Sequence, residues 1–183
     1  LGWMVYKKWY SYLEREANPD LAVGKALPDF FLETPGGQRL PSSVFKQQKA
    51  IWLFFRGNWC PLCVAQIQEV AALYRELSKN KVAVILVSGQ SQKQTRALAK
   101  RFDVPLTFLI DKDLEAARQL GLYHPKGLPV GLQVLGYDSD TVFPTVLITD
   151  QQGVIQFSDQ SDHYRLRPEP KLFLEVIEKM DLA

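Results

Sequence analysis

The chain has 183 residues, of which 46% are hydrophobic, which is enough for one folded domain with a sizeable core. The net charge of +2 is too small to predict a nucleic-acid-binding protein, which usually carries a concentrated basic field. Two cysteines exclude a scaffold held by several disulfides. No stretch reaches about 18 consecutive apolar residues, so the sequence predicts no complete membrane-spanning helix.

The first 17 residues predict a helix that precedes the domain. Apolar side chains recur at helical spacing with two lysines among them: Trp3, Tyr6, Lys7, Lys8, Tyr10 and Leu13. Aromatic residues mixed with lysines are typical of a helix that leaves a membrane, and the chain does not begin with methionine. We expect either a membrane tether through a missing N-terminal segment or a helix packed on its own domain or on a partner chain. Residues 1–24 are predicted to form this helical extension and residues 25–183 the domain.

Strands and helices alternate through the domain. The first predicted elements are a strand at 29–33, a turn at 35–37, a strand buried on both faces at 50–55, and a helix with an apolar stripe from 64 to 77. A second buried strand at 82–87, a helix at 91–102 capped by Ser91, a strand at 106–110 and a helix at 113–120 follow. Strands at 142–149 and 154–157 surround a hairpin turn at 150–153, and a helix at 171–180 closes the chain.

This alternation predicts an α/β domain with a central mixed sheet flanked by helices, parallel in the middle and antiparallel at one edge. The stretch from 121 to 140 is rich in glycine, proline and leucine. It is too long for a simple connection, so we expect it to flank an active site.

The two cysteines, Cys60 and Cys63, lie where the first buried strand meets the following helix. Free N–H groups and the helix dipole at the start of a helix favour a thiolate at Cys60 and lower its pKa. Cys63 lies one turn further on and within reach of Cys60, more buried and slower to lose its proton. Pro61 suits the first helical turn. This asymmetry predicts that Cys60 attacks a substrate sulfur or oxygen and that Cys63 resolves the product by forming a disulfide.

Other uses of the pair are less favoured by the pattern. A zinc site needs about four ligands, and the remaining histidines, His124 and His163, lie far from the spacing of a zinc finger. A structural disulfide that closes so small a loop adds little stability. Two free structural thiols rarely fall at a helix start in this spacing. We therefore expect no metal and no cofactor apart from a redox-active Cys60–Cys63 disulfide.

The segment from 55 to 63, with Trp59 directly before the first cysteine, resembles the active-site segment of thioredoxin-fold proteins. The wider chain, over roughly residues 25–182, resembles the AhpC/TSA, or peroxiredoxin-like, branch of that superfamily. The segments at 27–32, 144–155 and 162–170 are similar to its opening strand, its closing hairpin and a segment of members with a Cys-x-x-Cys site. The resemblance implies a thioredoxin-like fold.

The resemblance also implies supporting roles around Cys60. Pro144 would follow a cis peptide bond after Phe143, pack beside Cys60 and leave a backbone edge free for a thiol substrate. The alternative is a trans proline that opens an edge strand. Apart from the resemblance, Trp59 could shield Cys60 from water and contact substrate, or could equally be hydrophobic packing.

Three departures from the family pattern affect the expected chemistry. Peroxiredoxins carry threonine or serine three residues before the reactive cysteine, where this chain has Gly57. Their later active-site arginine has no counterpart, because no arginine lies between Arg118 and Arg165; Arg56 or Arg165 could substitute, unless they are solvated surface residues. The buried aspartate of thioredoxins, a proton acceptor for the second cysteine, is replaced by Phe54.

The function predicted is a thiol-based oxidoreductase with antioxidant or thiol–disulfide exchange activity. Its substrate would be a protein disulfide or a hydroperoxide, and a thiol protein or small thiol would supply electrons. The alternatives are a hydroperoxide reductase that uses the same pair and a non-catalytic redox sensor or interaction module. His124 could approach Cys60 as a base. The aromatic N-terminus favours a periplasmic or membrane-attached bacterial protein over a cytoplasmic one, and no nucleic-acid partner is expected.

Overall fold

A mixed sheet of seven strands forms the centre of the fold. The structure, a computed structural model, describes residues 14–163 and 166–182. The strands of the sheet are β1 (Phe31–Glu33), β2 (Arg39–Pro41), β3 (Lys49–Phe54), β4 (Val82–Ser88), β5 (Thr107–Ile110), β8 (Thr145–Thr149) and β9 (Ile155–Asp159), and β6 (Tyr123–His124) pairs separately with β7 (Thr141–Val142). The order across the sheet is β2-β1-β5-β4-β3-β8-β9.

Helices cover both faces of this sheet. They are α1 (Pro61–Ala72), α2 (Tyr74–Lys79), α3 (Gln92–Ala99), α4 (Glu115–Gln119) and α5 (Pro170–Asp181). Side chains of α1, α2, α3 and α5 pack on one face, and side chains of α4 pack on the other together with Leu21, Leu27 and Phe30. The sheet is therefore buried on both sides, as a central parallel sheet requires.

Strand β3 shows how the pattern of the sequence produces this layering. All six of its residues are buried. Successive side chains of a strand point to opposite faces, so Trp52 and Phe54 enter one cluster while Ile51 and Leu53 enter the other. This confirms the prediction of a central strand buried on both faces. Because β3 is an inner strand of the sheet, the cysteines that follow its end are flanked by strands on both sides.

The parallel centre of the sheet is confirmed, since β4 pairs parallel with both β3 and β5. The predicted antiparallel edge is confirmed, but the sheet has a second antiparallel edge that was not predicted. Strands β8 and β9 form the expected antiparallel edge, but β1 also pairs antiparallel with β5 and with the unpredicted β2. β2 has three residues, one of them proline, which is too short for a period of two to be recognised.

Helix boundaries follow local signals where those signals are strong. Ser91 caps α3 in a capping box with Gln94, as its sequence predicts. The predicted helix from 64 to 77 is split at Leu73 into α1 and α2, a break that the apolar stripe does not reveal. The hairpin turn at 150–153 is confirmed, with Gly153 at a φ of +80° that glycine tolerates.

The N-terminal prediction is only partly open to comparison. Residues 1–13 lie outside the described part of the chain, and residues 14–17 are not helical. A short 3₁₀ turn at Pro19–Leu21 follows, and Leu21 is buried in the core. The boundary at residue 24 and the membrane tether stay predictions. Within the described ranges no helix has the length and apolarity needed to cross a bilayer.

Candidate active site

The two cysteines lie at the start of α1, directly below the end of β3. Cys60 is the N-cap residue, with extended backbone angles, and Pro61 occupies the first helical position. The backbone N–H of Cys63 donates a hydrogen bond of 3.3 Å to Cys60 Sγ. Both thiols are free, and Cys60 and Cys63 are 4% and 1% exposed. The local arrangement expected from the sequence is present, and both cysteines are buried, Cys60 slightly less than Cys63.

The two thiols differ in acidity in the direction expected. The pKa of Cys60 is lowered to about 6, chiefly because the Cys63 thiol donates a hydrogen bond to it. The Cys63 backbone N–H and the guanidinium groups of Arg56 and Arg167 also favour the thiolate, and burial opposes them. Burial, followed by the hydrogen bond and charge of Cys60, raises the pKa of Cys63 well above its usual range. Near neutral pH Cys60 is therefore the thiolate and Cys63 the thiol.

Arg56 is part of the site and is not a solvated surface residue. It is 9% exposed, its guanidinium lies 4.8 Å from the centre of the Trp59 ring, and its Nη2 donates to the carbonyl of Gly127. The hydroxyl of Thr141 donates to the Arg56 carbonyl at 3.0 Å. These contacts hold Arg56 and the half-buried Trp59 against each other beside Cys60.

A second arginine near the cysteines is Arg167, which the sequence did not single out. Its Nη2 lies 4.0 Å from Cys63 Sγ. The predicted candidate, Arg165, lies outside the described residues. Both belong to the segment at 162–170 that carries the family resemblance, so the segment was identified, but the spacing of residues cannot say which of its arginines turns toward the thiols.

Pro144 does not have the conformation that the resemblance implied. No peptide bond in the described ranges is cis, so the predicted cis bond after Phe143 is wrong. The trans form is intrinsically favoured, and neighbouring groups engage the backbone in this form. The Phe143 N–H donates to Leu122 O at 2.7 Å, its carbonyl accepts from the Thr145 hydroxyl at 2.9 Å, and Arg15 Nη1 donates to Pro144 O at 2.7 Å. The backbone edge is thus not free for a substrate.

Arg15 and His124 flank the ring of Phe143. The Arg15 guanidinium lies 5.2 Å from the centre of that ring, and the imidazole of His124 stacks on it at 4.3 Å. Burial, together with the nearby charges of Arg56 and Arg15, lowers the pKa of His124 to about 4. His124 is therefore neutral at pH 7 and held on Phe143. Its role as a base toward Cys60 stays a prediction.

The stretch from 121 to 140 lies against the loop that precedes Cys60. Near one end, Gly127 accepts the hydrogen bond from Arg56. Near the other, the Tyr137 hydroxyl donates to Asn58 Oδ1 at 2.7 Å, and Gln90 Nε2 donates to the same oxygen at 2.9 Å. This stretch flanks the candidate site, as expected from its length and composition.

The described residues contain no group of three or more histidine, cysteine, aspartate or glutamate side chains placed to hold a metal ion. A stabilised thiolate beside a protonated thiol is the arrangement needed for thiol–disulfide exchange.

Comparison with known proteins decides the family. The model of the AhpC/TSA family matches residues 23–158. The chain belongs to the AhpC/TSA family. Within that match lie β1 to β8 and both cysteines, so the resemblance read from the residues around Cys60 is confirmed.

Relatives of this AhpC/TSA protein are thiol enzymes and thioredoxin-like proteins. The thioredoxin-like protein YneN of Bacillus subtilis is 30% identical over 85% of this chain and 78% of its own length. The putative peroxiredoxin bcp of Coxiella burnetii is 28% identical over 74% of this chain and 85% of its own length. The thiol-disulfide oxidoreductase ResA of Bacillus subtilis is 26% identical over 70% of this chain and 68% of its own length.

Solved structures agree on the fold. Peroxidoxin BcpB from Mycobacterium tuberculosis superposes with a TM-score of 0.71 at 18% identity and covers 87% of this chain and 98% of its own. The AhpC/TSA protein therefore has a thioredoxin-like fold with a central mixed sheet. With its relatives and its paired cysteines, it is a thiol-based oxidoreductase.

Proposed function

We propose that the protein catalyses thiol–disulfide exchange, with Cys60 as the nucleophile and Cys63 as the resolving cysteine. One observation carries this proposal. The Cys60 sulfur accepts hydrogen bonds from the backbone and thiol of Cys63 and lies in the field of two arginines, so that its pKa is about 6. A thiolate is the form of cysteine that attacks disulfides.

The reaction proceeds in two exchanges. The Cys60 thiolate attacks one sulfur of a substrate disulfide, the substrate S–S bond breaks, and one half leaves as a thiolate while the other stays bound to Cys60. Cys63 then gives its proton to the departing thiolate and attacks Cys60 Sγ. This releases the second half, which takes a proton from solvent. The substrate has gained two electrons, and a thiol reductant returns two electrons to the Cys60–Cys63 disulfide.

Arg167 supports the second exchange. The position of the buried aspartate of thioredoxins is occupied by Phe54, which is itself buried, so no carboxylate there can take the Cys63 proton. Arg167 Nη2, at 4.0 Å from Cys63 Sγ, instead stabilises the Cys63 thiolate by its charge. Arg167 thus favours loss of the Cys63 proton by its charge, where the aspartate of thioredoxins would accept that proton.

Reduction of a hydroperoxide is a second candidate function, and the peroxiredoxin relative favours it. Here the Cys60 thiolate would attack one peroxide oxygen and break the O–O bond, which gives a Cys60 sulfenic acid and an alkoxide, or hydroxide from hydrogen peroxide, that takes a proton from solvent. Cys63 would then condense with the sulfenic acid to form the disulfide and release water. The position of the missing hydroxyl argues against it. A Cβ added to Gly57 would lie 2.5 Å from Trp59 Nε1, so a threonine there would have to displace Trp59.

The test is the reaction of the pre-reduced protein with one equivalent of either bis(2-hydroxyethyl) disulfide or hydrogen peroxide. We expect the disulfide to consume both thiols and to leave a chain that has lost two hydrogens by mass, faster than peroxide does. Turnover is then measured with insulin and dithiothreitol. A much faster reaction with peroxide would assign the second candidate, and oxidation without turnover would identify a redox sensor. Loss of neither thiol in the folded protein would sink both enzymatic proposals.

The pH dependence of Cys60 alkylation should follow its low pKa. Because folding lowers this pKa, the thiolate fraction rises through pH 6 in the folded protein and only near about 8.5 in the unfolded chain. We expect the rate of iodoacetamide labelling of Cys60 to have its midpoint near pH 6. Cys63→Ala removes the thiol donor and should raise the midpoint, whereas Cys63→Ser keeps a donor and should lie between. A midpoint near 8.5 in the folded protein would contradict the assignment.

A further inference from the structure

A cavity of about 570 Å³ lies at the carboxyl ends of β4 and β5. It is lined by residues 89–92, which follow β4, by residues 112–114, which follow β5, and by residues 138–140. We call this cavity the polar groove. In open α/β sheets the carboxyl ends of the strands are where ligands bind, and nothing in the exchange reaction at Cys60 itself requires a cavity here.

The polar groove adjoins a smaller pocket that lies beside the residue before Cys60. This smaller pocket, lined by Arg56 and Trp59, shares Gln90 and Asp138 with the groove, and Trp59 directly precedes Cys60. At this inner end the Arg56 Nε–H is buried and has no acceptor among the described residues. Burying such a donor without a partner is costly. A carbonyl of a bound substrate would satisfy it.

The size of the groove distinguishes between substrate classes. A water molecule occupies about 30 Å³, so a peroxide of two oxygens would fill roughly a tenth of the 570 Å³. Ligand sites of this volume take molecules of many heavy atoms. A segment of polypeptide on either side of its disulfide fits the groove, and hydrogen peroxide does not need it.

The charge of the groove favours one kind of polypeptide segment over another. Carboxylates outnumber cationic groups among its lining residues, which include Glu33, Asp113, Asp138 and Asp140 against Lys112 and Arg118. The Arg118 guanidinium lies 4.4 Å from the centre of the Tyr123 ring, and its Nη1 donates to the Asp113 carbonyl. Glu33 and Asp140 also accept hydrogen bonds within the chain, so the four carboxylates against two cations leave the lining with a net negative charge. The exposed Asp138 faces both the groove and the smaller pocket. A cationic segment is complementary to this lining.

We propose that the polar groove binds an extended, cationic polypeptide segment that carries the substrate disulfide next to Cys60. This inference rests on the proposed function. The segment lies along the carboxyl ends of β4 and β5, its basic side chains face Asp138 and the neighbouring carboxylates, and its disulfide meets Cys60 past Trp59.

The test compares two synthetic peptides of equal length. Each carries one central cysteine joined to 2-mercaptoethanol by a disulfide, flanked by lysines in one peptide and by glutamates in the other. Rates with the pre-reduced protein are divided by rates with dithiothreitol, which removes the effect of the flanking charges on the disulfide itself. We expect the lysine peptide to react about tenfold faster at low ionic strength and the preference to shrink with salt.

Charge variants locate the effect. Asp138→Lys should abolish or reverse the preference, with Asp138→Asn intermediate, and Glu178→Lys on the exposed side of α5 makes the same charge change away from the groove and should keep the preference. Equal rates for the two peptides, or a preference that survives Asp138→Lys, would overturn the inference. Reaction of the wild-type protein with bis(2-hydroxyethyl) disulfide reports the proposed function separately. If that reaction also fails, the fault lies with Cys60 chemistry and not with the groove.

Discussion

Replacing Cys60 with serine is expected to lower the rate of disulfide reduction about a thousandfold or more, equivalent to about 4 kcal/mol of transition-state stabilisation. The hydroxyl of a serine stays protonated at neutral pH, so the hydrogen bonds from Cys63 and the charges of Arg56 and Arg167 have no thiolate to stabilise. Cys63 cannot take over, because it is buried and its pKa is raised. Stopped-flow measurement of thiol loss with bis(2-hydroxyethyl) disulfide gives the rate.

The control for this variant is its neighbour in the same helix turn. Cys63→Ser also exchanges one sulfur for oxygen, at a site that is at least as buried, and should leave the first exchange with substrate in place. A Cys60→Ser protein that kept the wild-type rate would show that the reactive group lies elsewhere and would end the mechanism as written.

Cys63→Ser is expected to stop the reaction after the first exchange. Cys60 forms the mixed disulfide, but the serine hydroxyl that replaces the Cys63 thiol does not attack it. Mass spectrometry should find one 2-mercaptoethanol adduct per chain, and peptide mapping should place it on Cys60. Turnover of insulin with a limiting amount of dithiothreitol should fall by about a hundredfold or more, since release of substrate then depends on the external thiol.

The wild-type chain, treated in the same way, should carry no lasting adduct and should contain the Cys60–Cys63 disulfide. The double variant with both cysteines replaced by serine should take up no adduct at all. If Cys63→Ser released its adduct as fast as the wild-type chain forms its disulfide, Cys63 would not be the resolving cysteine.

Arginine side chains supply the electrostatic support around Cys60 where the chain lacks the polar residues of the family pattern. The thiolate at Cys60 is favoured by Arg56, four residues before it, and by Arg167, which arrives from the far end of the chain. A third guanidinium, Arg15, donates to Pro144 O and to Thr145 Oγ1, each at 2.7 Å. Burial lowers its pKa to about 10, and Asp159 is the main charge that opposes this. The departures at Phe54 and Gly57 therefore do not leave the site without electrostatic support.

Hydrophobic periodicity predicted most of the sheet and the helices because burial imposes it on long elements. Residues 50–54 of β3 and 82–87 of β4 read as unbroken apolar runs, and both strands are buried almost throughout. The same reasoning failed for β2, which has three residues. A different kind of reasoning failed for Pro144, where the family resemblance suggested a cis bond and the contacts of Phe143 and Arg15 accompany a trans one.

The sequence by itself determined the local arrangement of the two cysteines. Their spacing, the proline between them and the strand-to-helix junction are local features, and a local backbone geometry is enough to direct the Cys63 N–H at Cys60 Sγ. Only the tertiary structure decided what surrounds that thiolate. Arg167 contacts Cys63 across 104 residues of sequence and Arg15 contacts Pro144 across 129. No periodicity links residues so far apart, because their meeting depends on how the whole sheet and its loops pack.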